Sequence, residues 1–422
     1  MASFRDKTIT DVRRDIHAHP ETGWKEFRTT ALIADELEAR GFNLYLGPEA
    51  VDEQSRMGVP EQNEIKSAIK RAEDQGAPRK YLDRMCGVSG LVAVKQYGSG
   101  SGPTVGIRVD MDALPRAESM DEDHEPVEEG FVSKHSNVMH ACGHDAHTAI
   151  GLGLARELDQ NGGFDGTLKM FFQPAEEGGR GGEPMSRTEH VTDVDHFMAV
   201  HVGLDMETGV VVGARDHPQP NAKMDVVFTG KGSHAGGAPE KGKNALLSAS
   251  TAIQNLYGIP RHGDGGTRIN VGHVHSPNPQ NIVPEHAEMR IEVRGEETHL
   301  SDYMEEYAER IVEHAAAMHD VEYELELYGK TATFSADRSL AAAVVAAAEE
   351  VPSVTEATEQ AQLTGSEDAS FLIQQVQNAG GDATYVGIGA SNPFPHHHPK
   401  FDIDEDAIDI GIECLASTIR SL

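Results

Sequence analysis

The 422-residue sequence is poor in cysteine, in lysine and in long apolar runs, and each shortage excludes something. Its three cysteines, Cys86, Cys142 and Cys414, are odd in number and widely spaced, which argues against a disulfide framework and for a reducing compartment. No apolar run approaches the ~20 residues that span a bilayer, and the opening stretch MASFRDKTITDVRRD lacks the apolar core of a secretory signal. A cytoplasmic location is expected. Only 14 of the 36 basic residues are lysine, set against 69 Asp and Glu, so the formal charge is −33. The acids are scattered along the chain with no acidic tail. That excess repels itself in dilute buffer and is tolerated where salt screens it, so a halophile cytoplasm is expected. Nucleic acid and anionic membrane are excluded as partners on the same ground.

Hydrophobic residues at 38% suffice for a real interior, and the length implies about two to three domains. Residues 8–41 read as a helix with an apolar stripe (Val12, Ile16, Ala31, Ile33, Leu37) interrupted near Pro20. Residues 46–87 are polar, contain Pro60 and Pro78, and read as an insertion with one short helix over 64–74. Short apolar runs then alternate with helical patterns at 90–94, 104–109, 149–158, 167–172 and 197–200, which predicts an α/β domain with a mainly parallel sheet. The middle of the chain differs. Strand patterns at 223–229, 267–275, 287–294 and 321–328 interleave with helical ones at 245–257 and 303–318, the β-α-β-β-α-β order of a ferredoxin-like α+β unit. Alternation resumes at 340–350, 369–377 and 384–388. The expected domains are 1–217 plus 332–422, with 218–331 inserted.

Potential metal ligands cluster beside these runs. The 104–109 run leads into Asp110 and Asp112, the 167–172 run into Gln173-Pro174-Ala175-Glu176-Glu177, and the 197–200 run into His201. His140-Ala141-Cys142-Gly143-His144-Asp145 precedes a helix, and His396-His397-His398 follows a Gly/Pro-rich loop. Taken singly, each has a plainer reading. An aspartate caps a loop, a cysteine packs as a small hydrophobe, and a histidine ends a strand. Ligands gather at the carboxyl ends of strands in open α/β sheets, however, and five clusters of N, O and S donors in that one pattern favour a metal site.

The stretches RRDIHAHPETGWKEFRTT (13–30), GIRVDMDALP (106–115), MHACGHDAHTAIGLG (139–153), FFQPAEEG (171–178), AVHVG (199–203), GKGSHAG (230–236), NIVPEHAEMRIEVR (281–294), GSEDAS (365–370) and HHHPKFDIDED (396–406) carry a resemblance. The chain resembles the zinc- and manganese-dependent amidohydrolases of the M20 peptidase family, in the branch of aminoacylase-like, hippurate-type and auxin-conjugate hydrolases. VDEQSRMGVPEQ (51–62) narrows the resemblance to members that cleave aroyl-glutamates. It implies a dinuclear-metal catalytic domain with an inserted dimerisation or lid domain, and two divalent ions, Zn²⁺ or Mn²⁺, on Cys142, His144, Glu177, His201 and one histidine of 396–398. Spacing to Phe401 and Asp402 points to His397. The resemblance places Cys142 between the two ions, Glu176 as general base, and Asp112 behind a metal-bound histidine, with Asp110 beside it. His234, Asn281 and Arg294 match residues that touch the substrate, some of them across a dimer. An N-acyl or N-aroyl amino acid is the implied substrate. The implied assembly is a homodimer, or a heterodimer with a homologous partner. The alternatives are a broad aminoacylase and a non-catalytic partner subunit, and full retention of Glu176 with the ligands argues against the second.

The charge excess yields the first prediction. Circular dichroism melts between about 0.1 M and about 3 M KCl should show a melting temperature that climbs with salt, and a flat profile would remove the halophile reading.

Overall fold

The computed structural model describes residues 2–422. They divide into two compact units, one made of the chain up to His217 with Phe334–Leu363 and Asp368–Leu422, the other of Pro218–Thr333 with Thr364–Glu367.

The first unit is built on an eight-stranded sheet. Its strands in chain order are β1 (Asn43–Leu46), β2 (Leu91–Tyr97), β3 (Thr104–Asp110), β4 (Gly166–Gln173), β5 (His196–Val202) and β6 (Val210–Val212). A two-residue β7 (Arg215–Asp216) lies outside it. The second unit contributes β8 (Asn221–Thr229), β9 (Thr267–His275), β10 (His286–Gly295) and β11 (Glu322–Lys330) to a sheet of its own, before β12 (Glu356–Thr358), β13 (Ala361–Gln362) and β14 (Asp382–Ile388) return to the first.

The large sheet runs β1-β2-β4-β3-β5-β14-β6-β12. Its four central strands are parallel, and β1, β2 and β6 pair antiparallel with their inner neighbours. Side chains alternate between two cores, as a strand's period of two requires. On β4, Phe172 joins the core beneath the helices Ile9–Ala18, His144–Asn161 and Asp406–Ser421, while Phe171 joins the core on the opposite face. Met198 and Val200 of β5 divide from Phe197 and Ala199 in the same way. Both faces are covered, which is why these strands read as continuous apolar runs. The helix His144–Asn161 lies close to its neighbours because Gly153 has no side chain; a Cβ there would stand 2.1 Å from Ile412 Cδ1.

Three expectations need correction. The 8–41 pattern is two helices, Ile9–Ala18 and Phe27–Ala39, with the Pro20 turn between them. The helix expected from 149 begins at His144. The 46–87 segment holds more structure than the one short helix expected. It carries two helices, Gln62–Asp74 and Arg79–Met85, whose Ile65, Ala68, Ala72, Tyr81, Leu82 and Met85 are buried in the main core. Its apolar positions are few but fall at three- and four-residue spacing, so a polar average concealed a helical stripe.

In the second unit β8, the helix Ala245–Leu256, β9, β10, the helix Thr298–Met318 and β11 follow the expected order. Their sheet runs β11-β8-β10-β9 and is antiparallel throughout, the ferredoxin-like arrangement. Ala222, Met224, Val226 and Phe228 of β8 alternate into a core shared with the two helices.

Burial of the 46–87 segment can be measured. Met85→Ala should lower stability toward urea by about 2–4 kcal/mol, whereas a side chain on a solvated insertion would leave it nearly unchanged.

Candidate metal centre

β3, β4 and β5 are parallel, so their carboxyl ends lie at one edge, with Asp110 opposite Gln173. Asp112, Glu176, Glu177 and His201 therefore meet although tens of residues separate them in sequence. The helix His144–Asn161 starts at the same edge from Gly143, whose φ of 88° is left-handed. A Cβ at Gly143 would stand 2.6 Å from Val202 Cγ2, so glycine is needed for both reasons. The turn aims Cys142 and His144 at the strand ends.

Hydrogen bonds fix the tautomers. The buried His201 ring lies with Nδ1 2.8 Å from the Val202 carbonyl, which can only accept, so Nδ1 carries the proton and the Nε2 lone pair faces Cys142 Sγ at 3.6 Å. His144 places Nδ1 3.3 Å from Asp112 Oδ1, and its buried Nε2 has no hydrogen-bond partner. His147 is the opposite case. Its Nε2 accepts from Val202 N (2.8 Å) and its Nδ1 donates to Asp110 Oδ1 (2.6 Å), which leaves no lone pair. Although Asp110, His144 and His147 lie close enough to hold an ion, that set is ruled out by the saturated ring.

The three consecutive histidines separate by the same reasoning. His396 Nε2 accepts from Leu204 N, so its Nδ1–H is directed at Cys142 Sγ, 3.5 Å away, and it is a donor to the sulfur. His398 stacks on Phe394 and accepts from Lys400 N. His397, with left-handed backbone (φ 67°), turns Nε2 to within 3.3 Å of Glu177 Oε1, an oxygen that accepts no hydrogen bond.

Two ligand groups result. Cys142, His144 and His201 form one, and Cys142, Glu177 and His397 the other, with the donor atoms of each within 4.8 Å of one another. Cys142 belongs to both. Burial opposes its ionisation, yet the surrounding imidazoles of His396, His144 and His201 hold the thiol well below its usual value. The neighbouring Cys142 and then Glu177 raise His397 to about 10. Burial lifts Glu177. The unpartnered buried atoms, His144 Nε2 and Glu177 Oε1, together with a mixed S, N and O donor set, suit a divalent transition metal.

Glu176 carries a carboxylate oxygen 4.0 Å from His144 Nε2. Asp112 positions it, accepting Glu176 N at Oδ1 and Glu177 N at Oδ2, both at 3.0 Å. Asp110 lies behind this layer, bound by Arg108 (2.8 Å) and His147, and stays well below the usual carboxylate range because His144, His147 and Arg108 beside it outweigh burial.

Of the residues singled out in the sequence, Asp110, Asp112, Cys142, His144, Glu176, Glu177, His201, His396 and His397 gather at this edge of the first unit. His234, Asn281 and Arg294 belong to the second. There a backbone hydrogen bond from Ala235 N to Asn281 O (2.8 Å) sets the first two side by side, and Arg294 NH2 donates to Glu292 Oε1 at 2.8 Å. Sequence reading missed His147, which shares a helix face with His144 at i+3. It also missed Glu26, a buried carboxyl that accepts from Ala175 N (2.7 Å) and Ser89 Oγ (2.6 Å) and that burial and then the Asp112 charge push up to about 8.

Residues 106–421 match the family model described as peptidase family M20/M25/M40. Indole-3-acetyl-aspartic acid hydrolase of Enterobacter agglomerans is 41% identical, covering 97% of this chain and 94% of its own. A subunit of the p-aminobenzoyl-glutamate hydrolase of Escherichia coli K12 is also 41% identical, over 96% of this chain and 94% of its own. Among solved structures, an aminobenzoyl-glutamate utilization protein from Klebsiella pneumoniae superposes with a TM-score of 0.84 at 36% identity, covering 98% of this chain and 95% of that one. A match over most of the chain, and relatives this similar along nearly its whole length, make the protein an enzyme of peptidase family M20/M25/M40.

Proposed function

We propose that the enzyme hydrolyses the amide bond of an aroyl-amino acid, p-aminobenzoyl-glutamate above all, releasing p-aminobenzoate and glutamate. The observation that carries this is the pair of ligand groups sharing Cys142 Sγ, with the Glu176 carboxylate beside them. The substrate follows from relatives at 41% identity that are named for aryl conjugates of acidic amino acids. In this reading Cys142, His144 and His201 would hold one divalent cation and Cys142, Glu177 and His397 a second, Zn²⁺ or Mn²⁺.

Two such cations, when bound, would acidify a water and polarise the amide carbonyl. The chain's own residues do the rest. Glu176 takes the proton of the attacking water and returns it to the departing nitrogen, from a position fixed by the bonds of Asp112 to its own backbone and that of Glu177. Gly236 N and Gly237 N donate to His234 Nδ1 at 3.2 and 3.0 Å, so the ring keeps its proton on Nε2. That tautomer suits a donor to the developing oxyanion. Arg294 offers the planar fork that pairs with an amino-acid carboxylate. No helix among the described residues is long and apolar enough to cross a membrane, and we place the enzyme in a salt-rich cytoplasm. The E. coli relative is named as one lettered subunit of its hydrolase, which supports a dimer, with itself or with a homologous second chain, through the ferredoxin-like unit.

Matched conjugates test the substrate. The value of kcat/KM for p-aminobenzoyl-glutamate should exceed that for N-acetyl-glutamate by at least about tenfold, since a buried aromatic group adds a few kcal/mol of binding. Indole-3-acetyl-aspartate should fall between them, and equal rates on all three would make the enzyme a broad aminoacylase.

Exchange of the adjacent glutamates separates chemistry from metal binding. Glu176→Gln should keep its metal by mass spectrometry while losing turnover by about 10²-fold or more, whereas Glu177→Gln should lose both. More than about a tenth of wild-type activity in Glu176→Gln would show that the base lies elsewhere.

A further inference from the structure

We propose that Arg13 and Asp402 form a positioning bridge that brings His397 to Cys142 and so governs retention of one of the two cations. The inference rests on the two-cation reading above and adds to it the device that joins the two ligand groups.

Arg13 is fully buried on the first helix, and its guanidinium reaches three carboxylates. Nε donates to Asp145 Oδ2 at 2.8 Å, NH1 to Glu405 Oε1 at 3.1 Å, and NH2 to Asp402 Oδ1. Asp145 follows His144 in the first turn of its helix, and Asp402 closes the loop that carries His397. One planar side chain therefore spans the two segments whose donors must share the Cys142 sulfur. The opposite oxygens, Asp145 Oδ1 and Asp402 Oδ2, are buried without partners, so Arg13 is the main tie on Asp402 besides the Ile403 backbone. Asp145 has a second charged partner in His17, at 2.9 Å, and Glu405 one in Arg14, at 2.7 Å, whereas Asp402 has none among the described residues.

The two ligand groups depend on this bridge unequally. His201 sits at the end of a central strand, and His144 is held by Asp112 as well as by its helix. His397 has neither support. Its side chain is 49% exposed and its backbone left-handed, so packing of its own ring does not fix it. It is located by the bond from its N to Ala141 O (2.7 Å) on one side and by buried Phe401 and Asp402 on the other. Removing the Arg13–Asp402 link should release the Cys142–Glu177–His397 group and spare the Cys142–His144–His201 group. A residue that only stabilised the fold would weaken both together.

Asp402→Ala and Arg13→Lys test this in the full chain. In Arg13→Lys one ammonium cannot serve three carboxylates in a plane. Each protein is loaded with Zn²⁺ and desalted, its metal counted by mass spectrometry and its two affinities titrated, with a circular dichroism melt to confirm folding. Wild type should retain two ions. Both variants should hold one with affinity within about threefold of wild type and bind the other at least about tenfold more weakly, the usual size of an outer-shell effect. Folded variants that keep two ions, or that weaken both equally, would overturn the bridge while leaving the two-cation reading intact. A wild-type chain that takes up fewer than two ions would overturn both.

Discussion

Asp112 registers three separate pieces of backbone with one carboxylate. It faces the His144 imidazole and accepts the amides of Glu176 and Glu177, so the loop after β3, the loop after β4 and the start of a helix are locked to a common origin. A neutral amide in its place would turn a donor toward backbone donors, and the alignment would be lost. The left-handed Ala175 (φ 51°) is the strained joint in this assembly. Glu26 holds it from behind by accepting its amide.

The interior nearby carries more charge than a parallel sheet usually admits. Arg108 stands in the middle of β3 between the buried Ile107 and Val109, fully enclosed, and pairs with Asp110, Gln173 and Asp368. Asp368 also accepts the amides of Gly181 and Gly182 at 3.0 and 2.8 Å. Buried ions carry a desolvation cost of several kcal/mol each, repaid only when their remaining hydrogen-bond sites are filled. Here they are filled by groups that also fix the loops around the candidate centre. A charged residue inside an apolar strand is a local conflict of the kind that marks a functional site.

How much of this was legible in the sequence depended on range. The central strands and the split βαβ order were readable because burial on both faces writes an unbroken apolar run, and one-sided burial writes alternation. The donors at strand ends were readable for the same reason, since each follows such a run. The true start of the His144 helix was hidden, because Gly143 supplies the turn by conformation alone and HACGHDA has no apolar period. β6 and β12, three residues each, are too short to carry a pattern. Spacing singled out His397 of the three histidines, but the part His396 plays, as a donor to the Cys142 sulfur, needed the partner of every ring nitrogen. The Arg13–Asp402 pair, 389 residues apart, has no local signature of any kind.

That separation has a consequence for how the protein is made. A chain leaving the ribosome presents Cys142, His144, Glu177 and His201 long before His397 and Asp402 exist. The sheet is equally unfinished, because β14, which pairs with β5, follows every other described strand in the chain. The two groups proposed to hold cations are therefore completed in order, that of Cys142, His144 and His201 before the one that needs His397.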